Sequence, residues 1–275
     1  MTVIATLVTK EFTAHATDSF IARRTVDGTY EIVEKQRTKI VCVRQFAGAI
    51  AYFGFAGLNS QRLSTLRWLQ ERVADASRFA KPEDFARYLG AALDKWLSSI
   101  GLAGPTQRGI GMHFTAYEDV EGYRIPELFA ITNFESTRYD QLHPDGIRVT
   151  RETYGVIENT DDRLTNHALP RYRHRVRMEL AKGGILAFNN GDPILFNPIS
   201  SAMFTVVDAV HDRSQLATPK PAAALRYLAK WPIQSVATAQ KKLMLPGYQL
   251  VGGKIHDLSI SSLGEYESDS GDDHC

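Results

Sequence analysis

Cysteine is scarce. Two in 275 residues, Cys42 and Cys275, are too few for a disulfide framework. Cys42 stands in an apolar stretch, where a small buried side chain is its simplest role. A reduced, cytoplasmic protein is the expectation. No run of about 18 apolar residues occurs, so no membrane-spanning helix is expected. The opening residues lack the basic flank and apolar core of a secretory signal. Charge of one sign is not in excess either. The formal net charge of +1 gives no global pull towards nucleic acid or an anionic membrane. The one basic cluster, Arg171, Arg173, His174, Arg175 and Arg177, alternates with Tyr172 and Val176 near Glu179. That pattern fits a solvated face or a subunit contact better than a nucleic-acid site.

Chemistry-bearing motifs are also few. His15, His113 and His256 stand alone, with no second ligand at metal spacing, so no metal is expected. Gly109-Ile110-Gly111 lacks the third glycine and following helix of a dinucleotide loop, and there is no Walker motif. No cofactor is expected, and any use of ATP would belong to a separate partner.

What is present is an ordinary globular composition, 44% hydrophobic and 23% charged, long enough to bury one large core. Residues 2–8 and 12–16 read as a hairpin of buried strands. Val26-Asp27-Gly28 signals a second hairpin turn before the alternating residues 30–34. Residues 39–43 and 48–57 are further strands, the latter ending in Gly54-Phe55-Ala56-Gly57. From Ser60 the period changes to three and four through Leu63, Leu66, Leu69 and Val73, a helix. A second helix is expected from Pro82 to Leu97, with Gly101 as its stop. Residues 109–116 and 127–132 read as paired strands. A helix opens near Pro198 and another at Pro221, running through Leu225, Leu228, Ile233 and Val236. Val251-Gly252-Gly253 then turns into a last strand. Residues 135–195 resist assignment and read as an insertion. Residues 263–275 are acidic and read as a disordered tail after a single domain of residues 2–262. Strands come in blocks instead of alternating with helices. That favours α+β layers over a doubly wound parallel sheet.

The start of the chain carries the most specific chemistry. Removal of Met1 would leave Thr2 with a hydroxyl nucleophile and a free α-amine on one residue. An α-amine titrates at about 7.7–8.0, so much of it is neutral near pH 7.5 and able to take the hydroxyl proton. Asp18 and Lys39 are the charged residues expected beside it.

Threonine at position 2, Thr17-Asp18-Ser19, Lys39-Ile40, Phe55-Ala56-Gly57 and Val251-Gly252-Gly253 occur in an order that resembles the proteasome β-subunit family and its bacterial relative HslV. These are N-terminal nucleophile hydrolases. The distance from Thr2 to Asp18 agrees with that family; the distance to Lys39 is about five residues longer, and the hairpin at Val26-Asp27-Gly28 is able to absorb them. The resemblance implies a four-layer αββα sandwich. It implies Thr2 as nucleophile and base, Asp18 orienting Lys39, and Lys39 favouring the alkoxide. Backbone N–H groups at Ala56 and Gly57 would then face the developing oxyanion. It further implies a threonine-type peptidase acting on a peptide, homo-oligomeric rings, and a possible separate ATP-dependent partner. An amidase acting on a small amide, or a non-catalytic ring subunit, are the rival readings. The chain departs from the family pattern at two supporting positions, where Val251 replaces a serine and Tyr248 an aspartate. A third supporting serine corresponds to Ser200 or Ser201.

Overall fold

The computed structural model describes residues 3–25, 27, 30–58, 63–100, 109–120, 122–134, 142–151, 185–190, 198–199, 201–203, 205, 222–243 and 251–269. Two five-stranded sheets form its centre. The first is built on β1 (Ile4–Val8) and β2 (Phe12–Asp18), the hairpin expected from the sequence, with Ile4 opposite Thr17. Strands β3 (Ile21–Arg24) and β4 (Tyr30–Glu34) make a separate two-stranded ribbon. The second sheet contains β5 (Ile40–Val43) and β6 (Gly48–Gly54), joined through the 3₁₀ turn Arg44–Phe46. A short ladder follows, β7 (Gly57–Leu58) against β8 (Leu63–Ser64).

Helix α1 (Thr65–Val73) begins one turn later than Ser60, which lies outside the described residues. Ser64 is the cap: its hydroxyl accepts from the Arg67 N–H at 3.4 Å. Helix α2 (Pro82–Ser99) opens with proline at its first turn and with Glu83 and Asp84 at the positive end of its dipole. Then come β9 (Ile110–Val120) and β10 (Tyr123–Thr132), a long hairpin that extends the second sheet.

Two strands arise from the stretch that the sequence left unassigned. Strand β11 (Arg148–Arg151) adds to the edge of β10, and β12 (Leu186–Asn190) pairs with β1 at the edge of the first sheet. Helix α3 (Ala222–Leu243) and β13 (Ile255–Ser261) follow, close to their expected places. The end of the chain departs from expectation. Residues 263–269 are ordered against the fold: β14 (Tyr266–Glu267) pairs with β13, and Arg226 holds the Glu267 and Asp269 carboxylates at 2.8 Å each. Residues 270–275 lie outside the described residues.

Alternation along the strands sorts the core into layers. Val3, just before β1, and Ala5 and Leu7 on it face Leu225, Ala229, Ile233 and Val236 of α3. Ile4 faces the other way, joining Ile40, Ala49, Ala51, Phe53, Leu258 and Ile260 between the sheets. Val41, Val43, Ile50, Tyr52, Met112 and Phe114 then face α1 and α2. Trp68 and Trp96 stack there with ring centroids 5.2 Å apart, locking the two helices together. The order of layers is thus α3, first sheet, second sheet, α1 with α2, the α+β sandwich expected from the sequence. Among the described residues no helix is long and apolar enough to cross a membrane. Cys42, between the sheets, is disulfide-bonded, which corrects the reading of a reduced cysteine; Cys275 lies outside the described residues.

Candidate active site

Strand register gathers the site at one end of the sandwich. Strand β1 starts there, β2 ends there, and Asp18 sits opposite Ile255 at the start of β13. In the second sheet β5 starts at the same end, one residue after Lys39, and β6 ends there. Asp18 therefore ends a strand of one sheet, Lys39 leads into a strand of the other, and their side chains meet.

The Lys39 ammonium donates to Asp18 Oδ1 at 3.1 Å and to the Phe20 carbonyl at 2.7 Å. Their side chains are only 1% and 0% exposed. Asp18 Oδ1 also accepts from the Val3 N–H at 3.1 Å, and Oδ2 accepts from the N–H groups of Phe20 at 3.3 Å and Gly252 at 3.5 Å. A buried charge needs such partners, because an isolated one would neutralise instead. Burial pushes the Lys39 ammonium below the usual lysine range, and the adjacent Asp18 carboxylate opposes that shift. The result is a proton-bearing group held in a dry setting, whose field is strong at short range.

Thr2 and Tyr248 lie outside the described residues, as does Ser200; Ser201 is exposed. Val251 is fully buried and packs into the apolar layer under α3, while its N–H donates to Gln240 Oε1 at 2.8 Å. It brings no hydroxyl to the Asp18–Lys39 pair. Gly252 compensates through its backbone, donating to Asp18 and accepting from the Ser19 N–H at 3.2 Å.

Ala56 and Gly57 follow β6. The Ala56 carbonyl accepts from the Thr65 N–H at 3.0 Å, and the Thr65 hydroxyl donates to the Phe55 carbonyl at 2.7 Å. Gly57 has φ of +135°, and a Cβ there would run into the Leu63 carbonyl oxygen. The turn is thus held by its own hydrogen bonds, and both residues are partly exposed.

Several contributors carry no sequence signal of their own. Phe20 acts through its carbonyl and N–H, and Val3 and Gly252 through N–H groups, so side-chain type says nothing about them. Ser19 accepts from the Arg37 N–H at 3.2 Å, and its hydroxyl donates to the Lys35 carbonyl at 2.5 Å. The residues leading to Lys39 are thereby tied to the end of β2. A charge pair at i, i+3, Glu34 with Arg37, is the one clue that this loop is built.

Two facing antiparallel sheets between helix layers, with a buried aspartate–lysine pair where the first strand begins, define an α+β sandwich. Among solved structures the fold is similar to Anbu (ancestral beta-subunit) from Yersinia bercovieri, at a TM-score of 0.51 and 14% identity, over 99% of this chain and 88% of that one. No protein-family model and no curated protein matches the chain.

Proposed function

We propose that this protein is an amide-bond hydrolase of the threonine type, with Thr2 as nucleophile after removal of Met1. The observation that carries the reading is the buried Asp18–Lys39 pair, one carboxylate oxygen of which also accepts from Val3 N–H at 3.1 Å. Thr2 is joined to that nitrogen by a single peptide bond. Covalent geometry therefore keeps the candidate nucleophile within a residue of the pair.

In this reading the Thr2 amine takes the hydroxyl proton, and the oxygen attacks the amide carbonyl. Lys39 stabilises the developing negative charge, and Asp18 holds Lys39 in place. The N–H groups of Ala56 and Gly57 are the candidate oxyanion donors. Collapse of the tetrahedral intermediate expels the amine and leaves an acyl-enzyme ester on Thr2, which water hydrolyses. A peptide is the favoured substrate, with a small amide as the alternative. Assembly into homo-oligomeric rings, a separate ATP-dependent partner and a cytoplasmic setting complete the proposal.

A second reading has one observation in its favour. Val251 turns into the apolar core where the resemblance places a supporting hydroxyl. A non-catalytic ring subunit would tolerate that loss. Intact mass spectrometry before and after an epoxyketone or β-lactone separates the two. A chain lacking Met1 that gains one inhibitor mass, and loses that gain in Thr2→Ala, supports the hydrolase. Retained Met1, or an unlabelled mature chain, refutes it.

A further inference from the structure

We propose that Arg37 is a positioning residue for Lys39, its guanidinium clamping the loop of residues 35–39 to β8, the strand paired with Gly57. The proposal rests on the hydrolase reading for its catalytic consequence, but its geometry is independent of that reading.

The loop between β4 and β5 has no regular structure, yet its last residue must hold a buried ammonium. Its backbone is tied on one side to Ser19, at the end of β2. Its side-chain tie runs the other way. Arg37 Nε donates to Glu34 Oε1 at 2.8 Å and Nη2 to Glu34 Oε2 at 2.5 Å, a two-pronged pair. Nη1 then donates to the Ser64 hydroxyl at 2.9 Å. Ser64 is paired with Gly57 in the β7–β8 ladder and caps α1. One guanidinium thus spans β4, the loop and the ladder that follows the Ala56–Gly57 turn.

An exposed ion pair by itself would contribute little. Here the pair is half-buried, at 22% and 36% side-chain exposure, and has a third partner on another element. It also acts on the site electrostatically. The Arg37 charge disfavours the Lys39 ammonium, and Glu34 favours it. The fork shape matters, because lysine offers a point charge and cannot make the three directed bonds together.

The test uses Arg37→Met and Arg37→Lys in the full chain, each checked for a thermal midpoint within about 5 °C of wild type. The β-lactone labelling rate is followed by intact mass across inhibitor concentration. The Lys39 side chain is titrated by ¹³C NMR, its signal assigned with Lys39→Met. We expect the limiting labelling rate to fall about tenfold or more in both variants, as for a misplaced catalytic group. The inhibitor concentration at half-maximal rate should stay within about twofold, and the Lys39 midpoint should rise in Arg37→Met. A wild-type limiting rate in either variant, or a Lys39 midpoint unmoved in Arg37→Met, overturns the proposal. A wild-type protein that never labels removes the hydrolase reading alone. The Lys39 titration then decides the role of Arg37.

Discussion

The Lys39 ammonium lies 3.1 Å from Asp18 Oδ1, with both side chains withdrawn from water, Asp18 ending a strand of one sheet and Lys39 leading into a strand of the other. Removing one partner of such a pair strands the other charge, which typically costs about 3–5 kcal/mol. Asp18→Asn should lower the unfolding free energy by that order in urea titrations. The double variant Asp18→Asn with Lys39→Met should recover part of the loss, because no charge remains to be stranded. An Asp18→Asn protein within about 1 kcal/mol of wild type would mean that the two side chains are paired as neutral groups and not as ions.

Between the sheets lies a second polar group. His15 Nδ1 and His113 Nδ1 both meet the Thr6 hydroxyl, at 3.1 and 3.0 Å, and His15 Nε2 meets Thr115 Oγ1 at 2.7 Å. Asn190 closes the group against His113 Nε2. Burial, with the neighbouring His113 adding to it, lowers His15 to about 3, and burial lowers His113 to about 3. Both are neutral when folded but take up protons when unfolded below about pH 6.5. Stability is therefore full above that pH and is lost as pH falls towards 3. The slope should approach about 2.7 kcal/mol per pH unit if both groups respond fully. Denaturant midpoints measured from pH 7.5 to 4.5 should fall steeply, and His113→Asn should flatten the fall. A wild-type midpoint unchanged over that range would contradict the neutral pair.

Gly253 has φ of +77°, and a Cβ there would strike Ser19 Oγ and come within 2.6 Å of the Lys35 carbonyl oxygen. Those two groups are bonded to each other and anchor the loop leading to Lys39. Gly253→Ala should thus cost about 1–3 kcal/mol from the strained backbone, together with displacement of the loop. In the hydrolase reading, labelling of Thr2 should slow as well. Gly122 makes a fair control, since it also has positive φ, at +81°, but nothing within 4 Å of its Cβ position. Gly122→Ala should share the backbone cost and leave labelling at the wild-type rate.

The legible parts of the chain were those where periodicity and turn chemistry agree. The β1–β2 hairpin, α2 and α3 follow directly from alternating or three-and-four patterns. The meeting of Asp18 and Lys39 came from motif order. Helix α1 starts later than its period suggests because Leu63, though on that period, pairs with Leu58 as a strand beside Ser64 and Gly57. Strands β11 and β12 leave little trace in the sequence because they are short edge strands set apart by long stretches without clear period. Backbone donors such as Val3 and Gly252 are invisible in a sequence, since every residue but proline carries one.

The acidic end of the chain gives the last prediction. Arg226 is buried on α3, where its guanidinium lies 3.8 Å from Asp257 and holds Glu267, Asp269 and the Ser259 hydroxyl. Lys230 joins Asp257 and Asp269 at 2.8 Å each. The negative charge that suggested a free tail is thus matched by two cations on the helix packed below. Glu267→Gln with Asp269→Asn removes both charges while keeping Cys275, and leaves Arg226 and Lys230 sharing Asp257. Glu267 and Asp269 are half-exposed or more, so their loss should cost only about 1–3 kcal/mol. The loss should be smaller at high salt, where the exposed partners are screened. Adding Arg226→Met to that double variant should restore part of it by removing a charge left short of partners. A double variant without any change in the denaturant midpoint would return this segment to the role of a solvated tail.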